Sequence, residues 1–351
     1  MDRIEDRESL EINRRYFLAA SAASVGVLMN AQAQAVESEA ALALDEIRRF
    51  DVVVVGGGPA GLSAALVLGR ACLKVLLCDA GPGRNAPAEG VHGFLGQDGT
   101  PPSELRRVGL EQLKPYDVAC EAAEVVEARK TGQGFELVLG NGGRVECRKL
   151  ILATGVKDIL PEIPGFRELW GGGVIHCPYC HGWEFRGRPW AFMAPEESVE
   201  EVAGLILGWT KTLTLVTNGP AVSKPELRDW LARHSIGVIE DRIDRLEGEG
   251  KRLDAIHFEG GRRLEVGTLF AGLKNRQRSP LAEKLGCEFI TEGRIAGLVK
   301  TDAFGATSVE SLYVVGDASS VGVQSVASAV AEGSIAAAMA SRSLIMAAAA
   351  H

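Results

Sequence analysis

The chain has 351 residues, 46% of them hydrophobic and 24% charged, with a formal net charge of -8. This is the composition of a soluble globular α/β protein of one or two domains, not of a disordered or fibrous chain. The acidic balance and the 6% aromatic content exclude an electrostatic nucleic-acid binder, which needs a basic face and rings for stacking. The 7 cysteines are odd in number and too few for a disulfide scaffold. They predict one functional pair, with Cys72, Cys78, Cys120, Cys147 and Cys287 buried or incidental.

Residues 1–35 read as an address. Arg14-Arg15 precede a mildly apolar run from Ala19 to Met29, and Ala31-Gln32-Ala33-Gln34-Ala35 offers small residues at the spacing a signal peptidase needs. The run is too short and alanine-rich to span a bilayer stably. The order of these features resembles a twin-arginine export signal, so a periplasmic or other extracytoplasmic location is expected. A frayed amphipathic N-terminal helix is the other reading.

From Arg48 the pattern changes. Asp51 to Val55 is a β-branched run that predicts a buried parallel strand. It leads into Gly56-Gly57-Gly58-Pro59-Ala60-Gly61 and a helical stretch from Leu62. Gly56 suits the tight turn, Gly58 the close approach of a pyrophosphate, and Gly61 the packing of helix on strand. The N-terminus of the helix that follows presents free N–H groups to phosphate. A second strand, Lys74 to Cys78, ends at Asp79, about twenty residues after the glycines, where a carboxylate is needed for a ribose hydroxyl. Together these features predict a bound dinucleotide. A third strand, Lys149 to Leu152, runs into Ala153-Thr154-Gly155. Near the end, Ser311 to Val315 precedes Gly316-Asp317, with Gln324 at the start of an alanine-rich helix.

The redox-capable stretch is His176-Cys177-Pro178-Tyr179-Cys180-His181-Gly182. A C-x-x-C pair can form a redox dithiol, a zinc knuckle, or, as C-x-x-C-H, a haem attachment site. Zinc needs four ligands, and no second C-x-x-C or spaced histidine pair occurs in the sequence, so no metal site is assigned. The haem motif is literal, but it lies between two nucleotide-binding patterns.

At these residues the chain resembles FAD-dependent pyridine nucleotide-disulfide oxidoreductases of the low-molecular-weight thioredoxin reductase type, from Phe50 to about Leu344. The resemblance implies an α/β fold of two Rossmann-like domains (three-layer ββα), the second inserted into the first. The expected boundaries are an FAD-binding domain of 45–157 and 276–345, and an inserted NAD(P)-binding-like domain of 158–275 carrying the C-x-x-C. It implies FAD as cofactor, with Gly56, Gly58, Pro59, Ala60, Gly61, Asp79, Thr154, Gly155, Gly316, Asp317 and Gln324 near it. It also implies a homodimer, and a catalytic pair in which Cys180 faces the flavin and Cys177 exchanges with substrate. His181 stands where reductases of this family carry an aspartate, and a histidine can take and return protons near neutral pH; an ordinary turn histidine is the other reading of it. His176 reads as structural, and Tyr179 and Trp183 as packing around the isoalloxazine.

The inserted domain departs from the family. Where the reductases carry a second glycine fingerprint, this chain has Ala191-Phe192-Met193-Ala194-Pro195-Glu196-Glu197-Ser198. Met193 and Pro195 bring bulk and a missing N–H to the place where a pyrophosphate would lie. Glu196 and Glu197 put carboxylates at the helix start that phosphate would otherwise take. The next strand, Leu213 to Val216, runs into Thr217-Asn218-Gly219 without the arginines that grip NADPH in the family. This pattern, with the stretch Arg84-Asn85-Ala86 to His92-Gly93-Phe94-Leu95-Gly96-Gln97-Asp98-Gly99, resembles a branch that runs the chemistry in reverse. Examples are the fungal oxidases that close the disulfide of gliotoxin. The expectation is a dithiol oxidase passing electrons from a small dithiol or a thioredoxin-like protein to flavin, with oxygen or a quinone as acceptor. The alternatives are an NAD(P)H-dependent thioredoxin reductase-like enzyme and a non-catalytic flavin-binding protein. Glu240 to Arg252 reads as a solvated strand–turn–strand edge, and Arg276-Gln277-Arg278 as a solvated linker.

Overall fold

The computed structural model describes residues 47–319 and 323–349; the expected export signal lies outside them. The first strand, β1 (Arg48–Val55), shows why the chain folds as it does. Val53 and Val55 pack into one apolar cluster and Val52 and Val54 into another on the opposite side, all almost fully buried. A strand covered on both faces belongs in the centre of a layered parallel sheet. At Gly56 the backbone turns with φ +110 into α1 (Pro59–Arg70). The crossover continues through β2 (Val75–Cys78), α2 (Pro102–Leu113) and β3 (Val118–Glu121), then β4 (Val125–Thr131), β5 (Gly134–Leu139) and β6 (Arg144–Leu152).

The chain then leaves this sheet on β7 (Val156–Asp158). The inserted region holds α3 (Phe166–Leu169), β8 (Val174–Ile175), α4 (Pro178–Phe185), β9 (Trp190–Met193), α5 (Val199–Ile206), β10 (Leu213–Val216), α6 (Pro225–Arg233) and β11 (Gly237–Ile239). It goes on through the antiparallel strands β12 (Ile243–Glu249), β13 (Arg252–Phe258) and β14 (Arg263–Glu265) to β15 (Thr268–Ala271). The chain returns on β16 (Asn275–Gln277), which pairs antiparallel with β7. The linker expected at Arg276–Arg278 is therefore half of a two-stranded ribbon, because outgoing and returning chain satisfy each other's backbone groups. After α7 (Leu281–Lys284), β17 (Leu312–Val314) and α8 (Val326–Ala349) complete the first domain.

The first sheet runs β3-β2-β1-β6-β5-β4, with β17 also on β6; the second runs β11-β10-β9-β15-β8. β6 is shared along its length. Arg144–Cys147 pairs antiparallel with β5, and Leu150–Leu152 pairs parallel with β17. All pairs in the second sheet are parallel. These are two Rossmann-like units, as the sequence predicts. Among the described residues, no helix is long and apolar enough to cross a membrane.

Candidate active site

One cavity runs along the carboxyl ends of β1, β2 and β6, where ligands lie in folds of this kind. The glycine turn lines it through Gly56, Gly58, Pro59 and Ala60, joined by Asp79, Thr154, Gly155, Gly316, Asp317 and Gln324. Gly61 lies behind it. A Cβ there would stand 1.8 Å from the Gly56 carbonyl oxygen, so glycine lets α1 sit against the turn. At Gly58 a Cβ would meet no protein atom, and no side chain caps α1. The uncapped helix start opens on the cavity, a setting that favours phosphate.

Two polar features of the site escaped the sequence. Asp79 is ion-paired with Arg106 of α2, whose Nε is buried with no protein partner. Arg84, mostly buried, ties distant segments together. Its Nε and Nη2 donate to Asp158 at 2.8 and 2.6 Å, and its Nη1 to Asp317 at 2.9 Å and to Gln324 Oε1 at 2.8 Å. Gln324 Nε2 then donates to the Asp317 carbonyl at 3.1 Å. One guanidinium thus joins the loop after β2, the ribbon, and the turn before α8. Arg278 adds a bond from Nη1 to the Pro82 carbonyl at 2.8 Å.

The cysteines form a disulfide, Cys177–Cys180. Since the sulfurs are bonded to each other, neither is a thiolate ligand here. Cys177 is the N-cap of α4, its Sγ accepting from the Cys180 N–H at 3.2 Å. Pro178 at N1 suits a helix start. Cys180 and His181 line the cavity and Cys177 does not. Both ring nitrogens of His181 are buried with no partner, and burial, then the nearby His92, holds its pKa below the usual value. His176 stacks on Trp170, ring centroids 5.4 Å apart, and burial together with Arg84 lowers its pKa to about 4. Tyr179 and Trp183 do not pack into the site. Both are exposed, Tyr179 edge-on to Trp209 and Trp183 beneath Arg186. Tyr179 and Trp183 are four residues apart, which places them on one helix face, away from the cavity.

In the inserted domain, Pro195 and the short turn Glu196–Ser198 follow β9. The Glu196 carboxylate accepts from the N–H groups of Ser223 and Lys224 at 2.8 and 2.9 Å and from the Ser223 hydroxyl at 2.7 Å. Glu240 accepts from the Val222 N–H at 2.9 Å and from Arg228 at 2.6 Å. Three consecutive backbone donors ahead of α6 are thus held by the chain's own carboxylates. Hydrogen bonds hold both acids below the usual range, the Ser223 hydroxyl foremost for Glu196 and the Val222 N–H for Glu240. Arg242, which the sequence did not point to, lies beside Gly219.

Residues 50–333 match the family model of pyridine nucleotide-disulphide oxidoreductases. The chain belongs to that family. It is 34% identical over 281 residues to a thioredoxin reductase, TcpT, of Claviceps purpurea, covering 76% of this chain and 86% of that one. It is 32% identical over 292 residues to the thioredoxin reductase SirT of Leptosphaeria maculans, covering 77% and 87%. An oxidoreductase from Agrobacterium tumefaciens superposes with a TM-score of 0.78 at 37% identity, covering 85% of this chain and 99% of that one. The protein is a thioredoxin reductase-like disulfide oxidoreductase, and its cofactor is FAD. The cavity fits that group, with an open glycine cradle at an uncapped helix start, an acid at the end of β2, and the disulfide at the other side.

Proposed function

We propose that this oxidoreductase works as a dithiol oxidase. Electrons enter from a substrate dithiol at Cys177–Cys180, not from a nicotinamide. The observation that carries this reading is the pair of carboxylates, Glu196 and Glu240, seated on the backbone N–H groups of Val222, Ser223 and Lys224. An incoming dinucleotide phosphate would have to displace a negative charge already bound there. Met193 and Pro195 add bulk to the same crossover. The substrate is a small dithiol or a thioredoxin-like protein, and the final acceptor is oxygen or a quinone.

The reaction is thiol–disulfide exchange at Cys177, the sulfur outside the cavity. A substrate thiolate attacks Cys177 Sγ, the bond to Cys180 breaks, and Cys180 leaves as a thiolate facing the cavity. The second substrate thiol attacks the mixed disulfide, releasing the product disulfide and leaving both enzyme sulfurs reduced. FAD, held along the glycine turn on the Cys180 side of the disulfide, would supply the two-electron acceptor. His181, held neutral by burial, accepts the proton that each thiol gives up.

Scarce NADPH outside the cytoplasm agrees with export of the folded chain by the twin-arginine signal, and we propose a homodimer. Cell fractionation and light scattering test these two points; a cytoplasmic monomer would contradict both. For the oxidase itself the test is oxygen uptake with dithiothreitol. Uptake with stoichiometric disulfide product is expected. NADPH-driven reduction of a protein disulfide without oxygen uptake would overturn it. That outcome would favour a nicotinamide-dependent reductase, for which Arg242 beside Gly219 is the supporting feature.

A further inference from the structure

The segment from Val91 to Thr100 is a loop closed at its ends by a backbone bridge and turned at Gly93, Gly96 and Gly99, all with positive φ. It holds His92 at the cavity wall. The His92 ring stands edge-on to His181, centroids 6.5 Å apart at 78°. Its Nδ1 is 3.7 Å from Asp98 Oδ1 and its Nε2 is 3.8 Å from Glu184 Oε1. Asp98 is fixed by accepting from the Gly93 N–H at 2.8 Å. Side-chain exposure grades outward, from the buried nitrogens of His181 to 26% at His92, 41% at Glu184 and 72% at Asp98. Both carboxylate distances are those of loose ion pairs just beyond hydrogen-bond reach, and solvent can carry a proton across such gaps.

We propose that His92 is the second member of a proton relay, in which His181 takes the proton of the attacking thiol and His92 passes it to solvent by way of Glu184 and Asp98. The inference rests on the exchange reading of Cys177 and Cys180. In the step itself, the substrate S–H and the enzyme S–S bonds break and the substrate S–Cys177 bond forms. Cys180 takes the electron pair as thiolate, and the proton moves to a His181 nitrogen. His181 must be emptied before the second thiol reacts, and a histidine with two buried, unpartnered nitrogens has no other protein acceptor at hand. The titratable and charged groups facing the pair are Asp98 on the loop, Glu184 on α4, and His176 at the end of β8, with Arg84 behind His176. His92 acts through His181 throughout.

The test uses the FAD-loaded enzyme with dithiothreitol under anaerobic single-turnover conditions. Acid quench and thiol alkylation count the opened disulfide directly, and flavin absorbance is followed in parallel. His92→Gln is expected to slow disulfide opening about tenfold at about pH 6.5, less than the hundredfold or more of a group that takes the proton directly, because His92 acts through His181. The deficit should close at about pH 9.5, where the attacking thiol is already ionised, and added imidazole should restore the rate near neutrality. Glu184→Gln should show the same pattern, more weakly. Wild-type rates in His92→Gln at every pH overturn the relay. So does a loss that neither pH nor imidazole repairs, which marks a structural role. Failure of the wild type itself to be opened by dithiothreitol overturns the oxidase reading and the relay with it.

Discussion

Removing Arg84 should be the most damaging single change outside the cysteines. Its side chain is 14% exposed, and its partners Asp158 and Asp317 are 7% and 22% exposed. Arg84→Ala therefore leaves two nearly buried carboxylates with no cation, and breaking a buried pair from one side costs about 3–5 kcal/mol. At about 2–3 °C per kcal/mol, Tm should fall by roughly 6–15 °C. Arg84→Lys should recover only part, since an ammonium lacks the planar fork that spans three partners. Differential scanning calorimetry of the FAD-loaded protein, run as a double-mutant cycle with Asp158→Ala, measures both cost and coupling. A second readout is His176, whose low pKa owes its second-largest contribution to Arg84; it should rise in Arg84→Ala when followed by NMR. A Tm loss under about 3 °C, on the same scale, or no coupling with Asp158, would refute the reasoning.

Other expectations follow from packing and titration. A Cβ on Gly333 would stand 2.0 Å from the Ala60 carbonyl oxygen where α8 crosses α1, so Gly333→Ala should cost about 1–3 kcal/mol by overpacking and lower the bound FAD measured by absorbance. Cys72 and Cys120 are exposed, while Cys78, Cys147 and Cys287 are buried, burial raising the Cys78 and Cys147 pKa values to about 12. Native protein should thus show two thiols reactive to an aromatic disulfide reagent near neutral pH and five after unfolding. Glu332 accepts from the Gly316 N–H and the Ser319 hydroxyl, and burial raises its pKa. A raised folded pKa means a contribution that is full below the ordinary glutamate range and lost as pH rises through the folded value. The stability advantage of wild type over Glu332→Gln should therefore be largest in acid and shrink toward neutral pH in denaturant titrations.

The parts of the site legible in the sequence are those encoded in contiguous residues. Gly56 to Gly61 announce their turn because backbone conformation and close packing demand glycine at fixed spacings, and Cys177-Pro178-Tyr179-Cys180 announces a small ring on a helix start. The layered α/β fold was legible for a similar reason: Val52 to Val55 is apolar without alternation, which only a doubly covered strand tolerates. The Arg84 cluster was not legible, because its partners lie 74, 233 and 240 positions away. Only the topology that returns β17 beside β6 brings them together. Arg106 on Asp79 and His92 beside His181 were hidden likewise. Tyr179 and Trp183 depart from expectation because aromatic character suggests burial, while their spacing puts them on the outer face of an eight-residue helix.

The direction of electron flow is the central claim, and anaerobic stopped-flow mixing of the FAD-loaded enzyme tests it most directly. Dithiothreitol should bleach the flavin absorbance in the wild type and leave it unchanged in Cys180→Ser, while NADPH and NADH bleach neither within seconds. Rapid bleaching of the wild type by NADPH would contradict the account, since Glu196 and Glu240 would then have failed to keep phosphate from Val222, Ser223 and Lys224.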